Sequence, residues 1–337
     1  MTATAAPATS RHWPASLYRR PDGGLEQELS PARIRDIVEQ GEGELWVDID
    51  SSDVHQHSLL EKVFGFHPLA IEDTLSPGSR VKLEEYDRYL FVVVSGIRFD
   101  RATPDPFDLE TFNTYFFLGK NFLVTVHAID SPSCNSTRDR LMRNPDLLGR
   151  GAEMTMHSII DQAVDAYFPV VESLNELVDG LEEKLFEAFD EKLIHEIFKA
   201  KRSAFAFRRH IGPLREVLNV LTNRPSVYIR AETQLYYRDV YDHTIRIMES
   251  VDTTRDLMAG VLETYLSQTN NRMNKVMKQL SIVATLALPL IVVGGIYGMN
   301  FSQMPLTHHP LGFYLALGSM GAISAVMVWW LHRNRWL

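Results

Sequence analysis

The chain has 337 residues, 45% of them hydrophobic, and a formal net charge of −9 from 34 Lys plus Arg against 43 Asp plus Glu. That length accommodates two domains, and the acidic balance excludes the basic footprint of a nucleic-acid binder. A single cysteine, Cys134, excludes an intramolecular disulfide and a cysteine-rich metal site.

The opening stretch MTATAAPATSRHWPAS has no apolar core of signal-peptide length. Residues 1–30 are therefore expected to be a disordered tail. Residues 31–153 mix helical and strand patterns and predict an α/β domain whose sheet order does not follow from the sequence. PARIRDIVEQG carries proline at its start and glycine at its end, as a short helix should. ELWVDID alternates as a strand does, and VHQHSLLEKVFG and HPLAIEDTL read as helices. VKLEEYDRYLFVVVSGIRFD and LETFNTYFFLGKNFLVTVHA are rich in β-branched and aromatic residues, the second divided by a turn at Gly119–Asn121.

From about residue 154 to 278 the period becomes helical, a stalk of long helices. Ile160, Val164, Tyr167, Val171, Leu174, Val178, Leu181 and Leu185 follow three-four spacing. A second helix, EKLIHEIFKAKRSAFAFRRHIGPLREVLNVL, is expected to be interrupted near Gly212–Pro213. A third begins near Glu232 and meets no proline before Pro289. Continuous to Tyr297, it would be about 100 Å long, and a helix of that length needs neighbours.

Between Lys278 and Arg333 there is no Asp, Glu, Lys or Arg. This gap holds two apolar stretches of the ~20 residues that cross a bilayer. They predict membrane helices at 279–299 and 312–331, joined by a loop at 300–311 and followed by a basic tail at 332–337. The other reading is a pair of buried core helices. Arg272, Lys275 and Lys278 precede the first span, Arg333 and Arg335 follow the second, and the loop has neither Lys nor Arg. The positive-inside rule then puts both termini in the cytoplasm of a multi-pass protein, with Trp329, Trp330 and Trp336 at the inner interface.

The first span ends in YGMNF, Tyr297–Phe301, where glycine and asparagine are either a helix cap or polar groups at a pore mouth. One two-span chain cannot enclose a water-filled path, but a ring of first spans could. Asn274, Met277, Ala284, Leu288 and Ile291 recur at helical spacing, with Leu280 one turn below Ala284. This stripe is either a helix–helix seam or an apolar throat that closes by dewetting. An amide ring at Asn300 suits magnesium, which gives up water reluctantly and is better held hydrated. No G-x-x-x-x-G-K-S/T phosphate loop occurs, so a nucleotide-driven pump has no visible machinery. The membrane potential offers a divalent ion roughly 4.6 kcal/mol per 100 mV instead.

GIYGMNF after an apolar span, then MP, then a second span ending in RNRWL, resembles the CorA family of divalent-cation channels. HPLAIEDTL, RVKLEEYDRYLFVVV, PLREVLNVL, YYRDVYDHTIRIMESVDTTRD and ETYLSQTNNRMNKVMKQLSIVAT are similar to that family's segments in its order, from about residue 31 onward. The resemblance implies an α+β membrane protein of the cell (inner) membrane, a funnel-shaped homopentamer with long stalk helices, and no enzymatic activity. It implies selectivity at Gly298, Met299 and Asn300 and a hydrophobic gate at Met277, Leu280 and Leu288, with Asn274 and Glu263 lower in the path. It implies inhibitory magnesium sites between subunits at Asp100 and Asp239, residues that otherwise read as solvated aspartates.

Two features depart from the family. The loop reads MPLT where members commonly carry MPEL, and it holds His308 and His309 but no acid. Ile291 stands where relatives can have a hydroxyl. The implied cargo is Mg2+, with Co2+, Ni2+ or Zn2+ as the cargo of an alternative resembling the ZntB branch. A membrane-anchored sensor or enzyme is a further alternative, but residues 1–278 show no nucleophile motif or metal-ligand spacing. Divalent cations and membrane lipid are the implied partners, without nucleic acid or nucleotide.

Overall fold

The computed structural model describes residues 14–76, 78–99, 109–128, 131–187, 192–299, 305–306 and 309–336. The chain divides into two compact units, Met1–Ala259 and Gly260–Leu337.

The first unit is built on a seven-stranded mixed sheet: β1 (Ala15–Arg19), β2 (Leu25–Gln27), β3 (Glu44–Asp50), β4 (Lys82–Tyr86), β5 (Tyr89–Phe99), β6 (Leu109–Leu118) and β7 (Phe122–His127). Their order is β2-β1-β3-β7-β6-β5-β4. Only β3 and β7 are parallel, with Leu45 opposite Phe122 and Asp50 opposite His127. Both faces are covered, which is why β5 and β7 are apolar at almost every position. Along β5, Leu90, Val92 and Val94 enter one core while Phe91 and Val93 enter the other.

The second of those cores is closed by short helices α1 (Pro31–Gln40), α2 (Val54–His57), α3 (Leu59–Lys62) and α4 (Pro68–Leu75). Ile34, Ile37, Leu60 and Ala70 pack there against Phe91, Phe117 and Val124. The expected punctuation of α1 is present. Ser30 Oγ accepts from the Arg33 N–H, Pro31 opens the helix, and Gly41 stops it with φ 70°, where a side chain would be strained. The turn expected at Gly119–Asn121 joins β6 to β7.

The first core lies beneath α5 (Pro132–Arg143), α6 (Ala152–Asp165), α7 (Phe168–Glu187), α8 (Leu193–Asn223) and the start of α9 (Ala231–Tyr297). Every member of the three-four series from Ile160 to Leu185 is buried. The series nevertheless breaks into α6 and α7 at Ala166–Tyr167. Pro169 has no N–H to give Asp165 and its ring would crowd that carbonyl, so it sits in the first turn of a new helix. Tyr167, in the break, donates its hydroxyl to Ser95 O of β5 at 2.9 Å.

Two expectations are corrected. Residues 15–30 are folded rather than a tail. β1 pairs with both β2 and β3, Leu17 and Tyr18 are buried, and Ser16 Oγ accepts from the Leu29 N–H at 2.8 Å. A short strand's order comes from a partner some thirty residues away, which local composition does not reveal. Nor does α8 stop at Gly212–Pro213. It runs through Pro213 to Asn223, because the lost hydrogen bond to Arg209 O, about 3 kcal/mol, is offset by Phe207, Ile211, Leu214 and Leu218 all buried in one core.

Candidate functional site

The second unit contains the end of α9 and the helix α10 (Gly312–Arg333). α9 is continuous over 67 residues, as expected, and passes through Pro289 without ending. Its most apolar 18-residue window is only 11% buried, and that of α10 only 6%. Core helices of a soluble domain would be mostly buried, so the apolar surface here faces outward. The hairpin's basic ends meet: Lys278 Nζ donates to Arg335 O at 3.0 Å, so the flanking cations of both helices lie at one end.

At 3.6 residues per turn, Glu263, Asn274, Met277, Leu280, Leu288 and Ile291 fall within an arc of about 120° on α9, and Gly298 and Met299 follow its end at Tyr297. All eight are exposed. Exposure in one chain does not separate this arc from the rest of the hairpin, since Ile291 at 68% and Val283, on another face, at 64% are alike. What marks the arc is its composition: an acid and an amide, Glu263 and Asn274, in register with the bulky apolar Met277, Leu280, Leu288 and Ile291.

The helix ends at Tyr297, and the chain continues in a tight turn with Gly298 N–H on Gly294 O at 2.9 Å and Met299 N–H on Ile296 O at 3.2 Å. Gly298 is not among the glycines with positive φ. A capping glycine earns its place through the left-handed conformation, and Gly298 does not use it. What remains is the missing side chain, since a Cβ there would stand 3.0 Å from Gly294 O. Asn300, Asp100 and His308 lie outside the described residues. His309 is occupied locally, its Nδ1 accepting from the Leu311 N–H at 3.2 Å at the start of α10.

Asp239, on α9 in the first unit, does not stand alone. Its Oδ2 lies 3.8 Å from His243 Nε2, while His243 Nδ1 faces Asp165 Oδ1 of α6 at 3.4 Å. Asp161, Asp165 and His243 each bring one ligand atom within 4.8 Å of the others. Burial raises the Asp161 carboxyl above its ordinary range; His157 opposes this and Asp165 adds to it. His243 Nδ1 is buried without a hydrogen bond. Carboxylates gathered this way favour a divalent cation, and imidazole adds affinity for transition metals. Sequence reading found Asp239 but not its companions. The signal was the pair of i,i+4 spacings, Asp161 with Asp165 and Asp239 with His243, which only the packing of α6 on α9 joins.

A third group, Asp48, His127 and Cys134, is also close enough to share an ion. It is already satisfied. Asp48 accepts from Thr125 Oγ1 at 2.5 Å, from His127 Nε2 at 3.0 Å and from Arg138.

Comparison with known proteins identifies the family. The family model described as CorA-like Mg2+ transporter protein matches residues 41–333. The cobalt/magnesium transport protein CorA of Thermotoga maritima is 35% identical, the match covering 87% of this chain and 83% of that protein. The putative metal ion transporter YfjQ of Bacillus subtilis is 34% identical over 86% of this chain and 89% of its own. The complete structure of the CorA magnesium transporter from Methanocaldococcus jannaschii has a similar fold, with a TM-score of 0.82 at 21% identity over 96% of this chain and 99% of that one. An α/β unit, a long helix entering an outward-facing apolar hairpin, and a family match over most of the length lead to one conclusion: this chain belongs to the CorA-like Mg2+ transporter family, a family of transporters of divalent cations.

Proposed function

We propose that the protein is a magnesium influx channel of the cell (inner) membrane, with both termini cytoplasmic and transport driven by the membrane potential. The observation that carries this reading is the exposed α9 arc ending at Gly298–Met299 within an uncharged hairpin, in a chain whose relatives include a protein named for cobalt and magnesium transport. A single hairpin encloses nothing, so the arcs of several chains, five by family likeness, surround the path in a funnel-shaped homopentamer. Gly298, Met299 and Asn300 form a ring that binds the hydrated ion through amide and carbonyl groups, sparing the cost of stripping its water. Met277, Leu280 and Leu288 form the dewetting gate, Ile291 narrows the throat above it, and Asn274 and Glu263 receive the ion below.

Closure follows from cytoplasmic magnesium held at Asp239. Asp161, Asp165 and His243 crowd the same surface and Asp100 comes from the neighbouring subunit. Without a cation the carboxylates repel, and with one the subunits are bridged. A zinc, cobalt or nickel carrier of the ZntB kind is the second reading, favoured by the acid-free loop with its two histidines. Flux into liposomes measured with Mg2+, Co2+, Ni2+ and Zn2+ in turn separates the two. Magnesium entry that scales with an imposed potential is expected, and entry of zinc but not magnesium would overturn the first reading.

A further inference from the structure

At the carboxyl ends of the parallel pair β3 and β7 the first unit opens into a cavity of about 1070 Å³, at the upper end of small-molecule sites. Ser51 and Ser52 line it just beyond β3 and Ala128 just beyond β7. The crevice beyond parallel strand ends is where open α/β sheets take their ligands. One wall is the loop after α4. That loop is held by Asn113 Nδ2 on Ser79 O at 2.7 Å and by Ser79 Oγ on Asp73 O at 2.8 Å. The facing wall is α8, with Arg209, His210 and Pro213.

The charge of this cavity runs against that of the protein. The chain carries −9 overall, yet the described lining contains Arg80 and Arg209 and no Asp or Glu. Neither arginine forms an ion pair among the described residues, although the adjacent Arg208 is bonded to Asp252 at 2.6 Å. Asp73, on the last turn of α4, is paired with Lys82 at 2.8 Å, which also meets Glu84 at 2.7 Å. Ser51 and Ser95 are buried residues of the same lining. Two guanidinium groups with no ion pair among the described residues suit a tetrahedral oxyanion, because arginine presents its N–H groups as a fork to phosphate oxygens. Leu75, Val81, Phe112 and Pro213 add an apolar wall.

We propose that this cavity binds a small phosphorylated metabolite, its phosphate on Arg80 and Arg209 and its non-phosphate part against Phe112 and Pro213. His210 suits the role of neutral partner, since burial and then the Arg209 charge hold its pKa below the ordinary histidine value. No phosphate loop is needed, because the site binds without hydrolysing. The sequence-based expectation of no nucleotide partner, which rested on that motif, does not apply to a cavity assembled from α4, β5, β6, α8 and the ends of β3 and β7.

The test is calorimetric titration of the full-length protein in detergent, with EDTA and no magnesium so that chelation by the ligand is not mistaken for binding. Inorganic phosphate, ATP and adenosine are the probes. ATP is expected to bind, adenosine not. Replacing both arginines, Arg80→Ala with Arg209→Ala, should weaken binding at least about tenfold, as loss of one charged hydrogen bond does. Phosphate binding as well as ATP would assign the site to the phosphate alone, and tighter ATP binding would include the apolar wall; both support the proposal. Thr111→Glu, an exposed position in the same lining, places a carboxylate beside the anion without removing a structural contact and should also abolish binding. No heat with millimolar phosphate or ATP, or binding unchanged in the double variant and in Thr111→Glu, overturns it.

Discussion

Asp48 and His127 are a buried ion pair, and each holds the other's charge. Burial alone would push the histidine down, but the hydrogen bond and charge of Asp48 raise it to about 11. Asp48 stays below its ordinary value because His127, Arg138 and Thr125 outweigh its own burial. A raised histidine contributes stability in full below its unfolded value of 6.5 and loses it as pH rises through about 11. His127→Ala should cost about 3 kcal/mol near neutral pH, the low end for a broken buried pair because Arg138 remains. Thermal unfolding followed against pH should show the wild-type alkaline decline flattened in the variant. Glu44 behaves in the opposite sense. Burial, then the Glu153 charge, raises it to about 7 despite the Ala152 N–H at 2.9 Å. Between its unfolded value of 4.5 and 7 the unfolded chain has released the proton and the folded one has not, so stability falls with rising pH. Glu44→Gln should therefore stabilise by about 1–3 kcal/mol at alkaline pH and leave stability unchanged near pH 4. Equal melting of variant and wild type at both extremes would contradict this.

Tyr167 joins the break between α6 and α7 to the sheet. Tyr167→Phe leaves Ser95 O without that donor in a closed core, and should lower stability by about 1–3 kcal/mol in denaturant unfolding with no change in secondary structure. The elements show where the sequence was readable. Pro31 with Gly41, the Gly119–Asn121 turn and the apolar hairpin were legible because each signal sits within a few residues. β1 and the sheet order were not, since Ala15–Arg19 is ordered only by Glu44–Asp50 across the sheet. Pro213 misled for a related reason: local propensity reads a stop, and tertiary burial overrides it. In the candidate site, Gly298 and the α9 arc were visible as motif and period. The Asp161–Asp165–His243 group was not, because two ordinary i,i+4 pairs acquire meaning only when α6 packs on α9. The cavity over β3 and β7 draws on residues from Ser51 to Pro213 and has no contiguous motif. Asp239→Lys tests the acid surface, since an ammonium there imitates the bound ion. The variant should resist protease in magnesium-free buffer as the magnesium-loaded wild type does. An unaltered magnesium dependence of protection would make Asp239 a plain surface charge.

For the whole molecule, an uncharged hairpin beside Asn274 and Asn300 leaves polar groups against lipid unless other chains cover them. A stable oligomer in mild detergent is expected, five-fold by family likeness, and a monomer by light scattering would count against a pore made of α9 arcs. The central claim is narrower: ions pass where Gly298, Met299 and Asn300 meet across chains. An amide ring at the mouth contributes recognition and little packing, so its removal should spare assembly and end transport. The most direct measurement is magnesium uptake into liposomes by Asn300→Ala, with insertion and oligomeric state checked on the same sample. Uptake at background level from a correctly assembled variant is the predicted result. Wild-type magnesium flux from that variant would contradict the account.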